Sequence, residues 1–302
     1  MHPKNKKFAI KKKLPILYFV TFSLVVRPYK KKILVEIFEN IRKIYEFKTP
    51  CQDLANHIEF FSESSPDATR QYISEENFSI KMFPSWTPTF YINLGASYHI
   101  TVGNRTYAVS KDQDIAILRN SIVERHNAPT DHIFTVKFYP GSLETILNIN
   151  QSGLIDRVTD LSALLPRGLL QSVKEARSFE ERVSLLEAWL LNQHQNKSNN
   201  RLHFIREAIG NYLQGDLLPG INELAEKQFV SSKTFNRNFH RVVGTSPKNY
   251  FSVIRARTAL SAYVLRDPLF TPTAFGYYDM SHFYKEVIAF TGQKLTVSKR
   301  LI

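Results

Sequence analysis

From Ile44 to Pro140 the apolar residues fall in short runs rich in Ile, Val, Phe and Tyr: Phe78–Met82, Phe90–Leu94, Tyr98–Val102, Tyr107–Val109, Ile115–Leu118 and Ile133–Phe138. Gly103-Asn104, Lys111-Asp112 and Pro129-Thr130-Asp131 stand between them. Runs of β-branched and aromatic residues bounded by turn signals read as strands. Six strands at regular spacing predict a small barrel or sandwich. After Pro140 the apolar period becomes that of a helix. Leu143–Ile149 and Leu161–Leu165 are short segments, and Phe179–Leu191 puts Phe179, Val183, Leu186 and Leu190 on one face with Glu180, Glu181 and Arg182 facing away. That stripe either packs on the barrel or forms a dimer seam. Asn192–Asn200 contains no apolar residue and reads as an interdomain linker.

Downstream of the linker, Leu202, Ile205, Ile209 and Leu213 mark one helix and Ile221, Leu224 and Ala225 a shorter one, the small Ala225 allowing close packing. The next helix, Ser232–Val243, turns Phe235, Phe239 and Val242 inward at i, i+4 and i+7 and Lys233, Asn236, Arg237, His240 and Arg241 outward. Ser231 or Ser232 caps its start and Gly244 ends it. Ser246 and Pro247 open a long helix reaching Leu265, with Arg255 and Arg257 exposed. The pattern then repeats. Val230–Gly244 aligns without a gap on Tyr278–Gly292, pairing Phe235 with Phe283, Arg237 with Lys285, Phe239 with Val287 and Gly244 with Gly292, and Asp279 is the second cap. Two short-helix, turn, reading-helix units on one connecting helix are what a DNA-reading domain requires; a lone amphipathic surface helix has no need of the partner.

Composition narrows the choice. The chain has 302 residues, 43% hydrophobic and 13% aromatic, enough for two domains. Its net charge of +13 divides into +10 over residues 1–48, −4 over 49–200 and +7 over 201–302, so a polyanion partner is expected of the C-terminal region. One cysteine, Cys51, excludes an internal disulfide and a cysteine-rich zinc site. His99, His126 and His132 lie in the strand region without the short His spacing of a metal site, and no Gly-x-Ser-x-Gly elbow or phosphate loop occurs, so no enzyme and no cofactor are expected. Residues 1–43 are a separate extension, basic around an apolar stretch, Leu14–Val26, that is shorter than the ~20 residues of a spanning helix. Three readings stay open for it: a non-native extension from an upstream start, which is preferred, a membrane-touching segment that would make the chain a membrane-associated sensor, and a secretory signal without a cleavage pattern.

LAEKQFVSSKTFNRNFHRVVGTSPKNYF, then RARTAL, GYYDMSHFYKE and FTG, resemble the DNA-binding domain of AraC-type transcription regulators over about the last hundred residues. Pro84–Leu94, Lys137-Phe138-Tyr139-Pro140-Gly141 and LLEAWLL are similar to the small β-barrel effector-type domain found ahead of it in one branch of that family. The resemblance implies an α+β chain: a sensor or dimerisation domain over 44–191, a linker over 192–200, and an all-α domain over 201–302 whose two reading helices enter successive major-groove segments. It implies base-edge contacts from Lys233, Asn236 and Arg237 and from Met280, Ser281, Tyr284 and Lys285. Phosphate contacts would come from Ser232, His240, Arg241, Lys248, Arg255 and His282. The partners expected are double-stranded DNA, an effector that is a small molecule or a protein, RNA polymerase and a second copy of the chain, in the cytoplasm at the nucleoid, with activation of transcription as the family's usual output. The second unit departs from the family pattern, with Thr271-Pro272 where a helix usually starts and Val287-Ile288 in its reading helix. Pro272 must sit in a first turn or the helix before Gly276 is shortened, and the first reading helix is expected to choose the sequence.

Overall fold

The computed structural model describes residues 41–72, 78–127, 131–193, 200–264 and 267–292. The N-terminal stretch Leu14–Val26, the Pro129-Thr130 turn, Leu265 and most of the expected linker lie outside the described residues. No helix of the described residues is long and apolar enough to cross a membrane.

Among the described residues ten strands stand where six are expected. A short helix α1 (Ile41–Ile44) leads into β1 (Tyr45–Lys48), followed by β2 (Ile58–Ser64), α2 (Pro66–Tyr72), β3 (Phe78–Met82), β4 (Pro88–Asn93), β5 (Tyr98–Val102), β6 (Arg105–Val109), β7 (Ile115–Leu118), β8 (Val123–Asn127) and β9 (Ile133–Phe138). Beyond β9 come α3 (Ser142–Leu147), β10 (Thr159–Asp160), α4 (Arg167–Glu175) and α5 (Phe179–Gln193). The four additional strands are β1, β2, β8 and β10. Sequences such as IEFFSES and VERHN carry charges inside the run, which hides them from a search for apolar runs.

The strands form two antiparallel sheets, one ordered β1-β2-β9-β4-β7-β10 and the other β3-β8-β5-β6. They face each other across Ile80, Met82, Ile100 and Val123 from the smaller sheet and Tyr91, Ile115, Ile117 and Ile133 from the larger. The opposite face of the larger sheet, with Phe61, Phe90, Phe134, Val136 and Phe138, is covered by helices. Strands buried on both faces read as continuous rather than alternating apolar runs, and β2, β4, β7 and β9 are buried along their whole length.

The C-terminal region comprises α6 (Asn200–Gln214), α7 (Ile221–Lys227), α8 (Ser232–Val243), α9 (Pro247–Val264), a single 3-10 turn at Pro272–Phe275 and α10 (Met280–Thr291). It shares its core with the sheet region: one cluster runs from Phe90 and Phe138 through Leu186 and Leu190 of α5 to Leu202, Phe235, Phe239 and Phe251. A polar linker suggests two separate cores; the large apolar area of the sheet's second face merges them.

Arg182 corrects the sequence reading most clearly. Instead of facing solvent beside Glu180 and Glu181, it is buried, with Nε 2.7 Å from Oε2 and NH2 2.8 Å from Oε1 of Glu63 on β2. His132 Nε2 lies 2.8 Å from Glu63 Oε1. This arrangement anchors α5 to the sheet. Burial opposes ionisation of Glu63, but the hydrogen bonds and charges of His132 and Arg182 outweigh it and hold its pKa below the ordinary carboxylate value. A depressed carboxylate pKa gives stability that is present above the unfolded-state value and is lost as pH falls through the folded-state value. Glu63→Ala therefore leaves a buried guanidinium unpaired, and chemical denaturation at neutral pH is expected to show a loss of about 3–5 kcal/mol. The loss should shrink in acid, where Glu63 is protonated.

Candidate nucleic-acid interface

Helix α8 starts where Ser231, in extended backbone, accepts the Thr234 N–H at 3.3 Å through its hydroxyl. It ends at Gly244, whose φ of 91° is strained for a residue with a side chain and whose missing Cβ would lie 2.8 Å from Ile155. Its inward face, Phe235, Phe239, Val242 and Val243, is buried against α7, α6 and α9. Phe239 packs at 5.3 Å from Phe251 and 5.7 Å from Tyr250. In α7, Leu224 and Ala225 are buried, as the close packing of a small residue requires.

The outward face places Lys233, Arg237, His240 and Arg241 in solvent, and Lys248 is exposed at the start of α9. Ser232 and Asn236 are half-buried. The Ser232 hydroxyl donates to Asn222 Oδ1 at 2.7 Å, clipping the beginnings of α7 and α8 together, and Asn236 Nδ2 donates back to the Ser232 carbonyl at 2.8 Å.

The second unit has the same ends and a reduced first helix. Thr271 accepts the Ala274 N–H at 3.3 Å; Pro272 sits in the first turn and the helix is reduced to a four-residue 3-10 turn, so both alternatives hold. Asp279 accepts the His282 N–H at 2.7 Å and opens α10, which buries Phe283, Val287 and Phe290. Ser281, His282 and Lys285 are exposed; Met280 and Tyr284 are half-buried against the second unit's core, with the Tyr284 hydroxyl 3.3 Å from that of Tyr263. The exposure expected for Arg255 and Arg257 is not found, as both are half-buried. Arg255 NH2 donates to both Glu286 oxygens, at 3.0 and 2.8 Å, and its guanidinium lies over the Tyr277 ring. Burial works to lower its pKa, but Glu286 outweighs that and raises it. This pair fixes α10 to α9.

Two features absent from the sequence reading join the reading helices to the sheet region. Gln151 is 1% exposed; its Oε1 accepts the Gly141 N–H at 2.7 Å and its Nε2 donates to the Val243 carbonyl, the last of α8, at 2.8 Å. Gly141 has φ 78°, and a Cβ there would stand 2.5 Å from Val242, so only glycine allows this approach. At the second unit Phe83 packs on Phe290 with ring centroids 5.0 Å apart, and Ile122 lies against Gly292. The sheet region thus holds the C-terminal ends of both reading helices. The only sequence signal was the glycine at the end of each helix; their partners lie 90 or more residues away.

A pocket open to solvent lies between the Tyr139-Pro140 segment that follows β9, α6 and α9. Leu213 and Val253 supply apolar wall, Tyr139 and Tyr250 hydroxyls, and Arg206 and Arg257 guanidinium groups. Burial lowers the pKa of Arg206 to about 10, opposed only by Tyr139. Its hydrogen bonds go to the Asn56 carbonyl and His57 Nδ1, neither of them an anion. Glu59 adds a carboxylate to the same lining, so the pocket carries both signs of charge. Among the described residues no group of three or more His, Cys, Asp or Glu side chains is placed to hold a metal ion. Strand pairing does set His99 directly opposite His126, whose ring nitrogens lie 3.0 Å from Ser79 Oγ and Thr101 Oγ1 on the outer face of the smaller sheet.

No protein-family model and no curated protein matches the chain. Among solved structures it is similar to ToxT from Vibrio cholerae O395 at 9% identity and a TM-score of 0.42, over 72% of this chain and 95% of that one. Unsaturated fatty acid bound ToxT from V. cholerae strain SCE256 matches at 10% identity, TM-score 0.39, over 72% and 88%. The AraC-like transcriptional activator CuxR matches at 12% identity, TM-score 0.24, over 74% and 88%.

Gln151→Ala is expected to leave the Gly141 N–H and Val243 carbonyl buried without partners, at about 1–3 kcal/mol each. Thermal melting of the full chain measures the loss, and protection of the α8 amides in hydrogen exchange should fall with it.

Proposed function

We propose that the chain is a sequence-specific DNA-binding transcription regulator of the AraC type, read by two helix-turn-helix units and modulated through its N-terminal sheet region. The observation that carries this reading is α8: a helix whose inner face is fully buried and whose outer face presents Lys233, Arg237, His240 and Arg241 together. A cationic helix face held rigidly from behind suits the major groove, where Lys and Arg pair with guanine acceptors and Asn with adenine. Lys233 and Arg237 are the base readers; Asn236 joins them by releasing its bond to the Ser232 carbonyl. On α10 the corresponding exposed groups are Ser281 and Lys285, with Met280 and Tyr284 at the edge of the same face.

His240, Arg241, Lys248 and His282 are assigned to phosphate, where they add affinity and salt dependence without sequence information. Ser232 presents its backbone end of the helix to the same anions. Arg255, occupied by Glu286, is given the role of holding α10 instead.

The pocket is the effector site of this reading. Its wall residues Tyr139 and Pro140 immediately precede Gly141, which touches Val242 of α8. A ligand bound beside Arg206 would displace groups one residue from the contact that positions the reading helix, and a ligand that prefers one position of that contact shifts DNA affinity.

Selection of bound duplexes from a randomised pool tests the base assignment: Arg237→Ala should relax the preference at one base position, and an unchanged preference contradicts the role. Binding should weaken steeply with salt, and Lys248→Ala should lower affinity for all duplexes alike while reducing the slope of log K against log salt by about 1.

A further inference from the structure

Phe229 stands between α7 and α8 with a φ of 55°. Its N–H donates to the Glu226 carbonyl at 2.9 Å and the next N–H, of Val230, to the Ala225 carbonyl at 3.1 Å. That pair of bonds is the helix-ending motif whose left-handed position is usually glycine, because a side chain there is strained. Phenylalanine is 97% exposed in this position, so burial returns nothing for the strain. In the second unit the equivalent left-handed position is glycine, Gly276 with φ 72°, and its exposed aromatic stands two residues further on: Tyr278, 87% exposed, immediately ahead of the Asp279 cap of α10. In sequence both stand just ahead of the exposed residues of a reading helix, Phe229 ahead of Ser231, Lys233 and Arg237, and Tyr278 ahead of Ser281 and Lys285.

A strained backbone and a large apolar surface left in water are both unfavourable to the isolated chain; Phe229 carries both and Tyr278 the second alone. A residue that neither packs nor relieves strain in the free protein is explained when it is covered in a complex. The surrounding groups say by what: the neighbouring exposed side chains are cations and hydroxyls suited to phosphates and base edges. The apolar group that a major groove offers beside them is the 5-methyl of thymine.

We propose that Phe229 and Tyr278 are specificity-determining residues, each packing on thymine methyl groups where its reading helix enters the groove. The inference rests on the DNA-reading function proposed above. It adds a preference for thymine at the entrance of each half of the site, separate from the bases read by Lys233 and Arg237.

The test uses the full chain and a duplex selected by it from a randomised pool, with binding followed by fluorescence anisotropy. Replacing the thymines at the helix entrances by deoxyuracil removes only the methyls and should weaken wild-type binding about fourfold per methyl buried. Phe229→Gly should bind the thymine duplex about as weakly as wild type binds the deoxyuracil duplex, show no further loss with deoxyuracil at the first entrance, and melt at the same or a higher temperature because the strain is relieved. Tyr278→Ala should do the same at the second entrance. Equal affinities of wild type and both variants overturn the inference, and so does a loss of affinity with no deoxyuracil effect on wild type, which would move the contact to another group. Failure of the wild-type chain to select any duplex overturns the DNA-reading function itself.

Discussion

Gln151 is a side chain with both ends occupied: its oxygen takes the Gly141 N–H from the segment that follows β9, and its nitrogen gives to the Val243 carbonyl that closes α8. Around it the apolar core is continuous from the sheet to the reading helix. A buried amide that left either partner unsatisfied would cost more than the bond returns when made, so the sheet region and α8 are held in one arrangement. The contact of Val242 with Gly141 tightens that arrangement to the point where a single added carbon does not fit. The orientation of the first reading helix is consequently a property of the whole chain.

The second unit is held by a different set of forces. Arg255 and Glu286 join α9 to α10 through a bidentate pair that is partly screened from solvent, and Phe83 reaches from the sheet region to Phe290. Its first helix is only a 3-10 turn, so α10 depends on these two attachments more than α8 does on any one of its own. The pocket's walls include the Tyr139-Pro140 segment that follows β9, α6 and α9. Whatever changes the spacing of those three elements changes the angle between the reading helices, which is the quantity that two successive groove segments of DNA would test.

Local signals carried much of this architecture. The α8 boundaries, its glycine end, the serine and aspartate caps and the small Ala225 follow from periodicity and from the chemistry of helix ends, and four of the six strands expected from apolar runs match the structure residue for residue. Two of the four missed strands share one cause. β2 and β8 carry Glu63 and Arg125 into the interior, where Arg182 and Asp131 neutralise them, so a charge that marks a surface in a local window marks a buried pair in the fold. Arg182 and Arg255 were placed in solvent for the same reason. Gln151, the cross-strand pair of His99 and His126, and the exposure of Phe229 each depend on residues distant in sequence or on backbone geometry, which no local period encodes.

If α8 and α10 read DNA as proposed, they meet it together on one face. Hydroxyl-radical and methylation footprinting of the full chain on a duplex it selects measures this directly. Two protected major-groove segments are expected, centred about one helical turn apart, about 10–10.5 base pairs, on the same face. A single protected segment, or two on opposite faces, would contradict it.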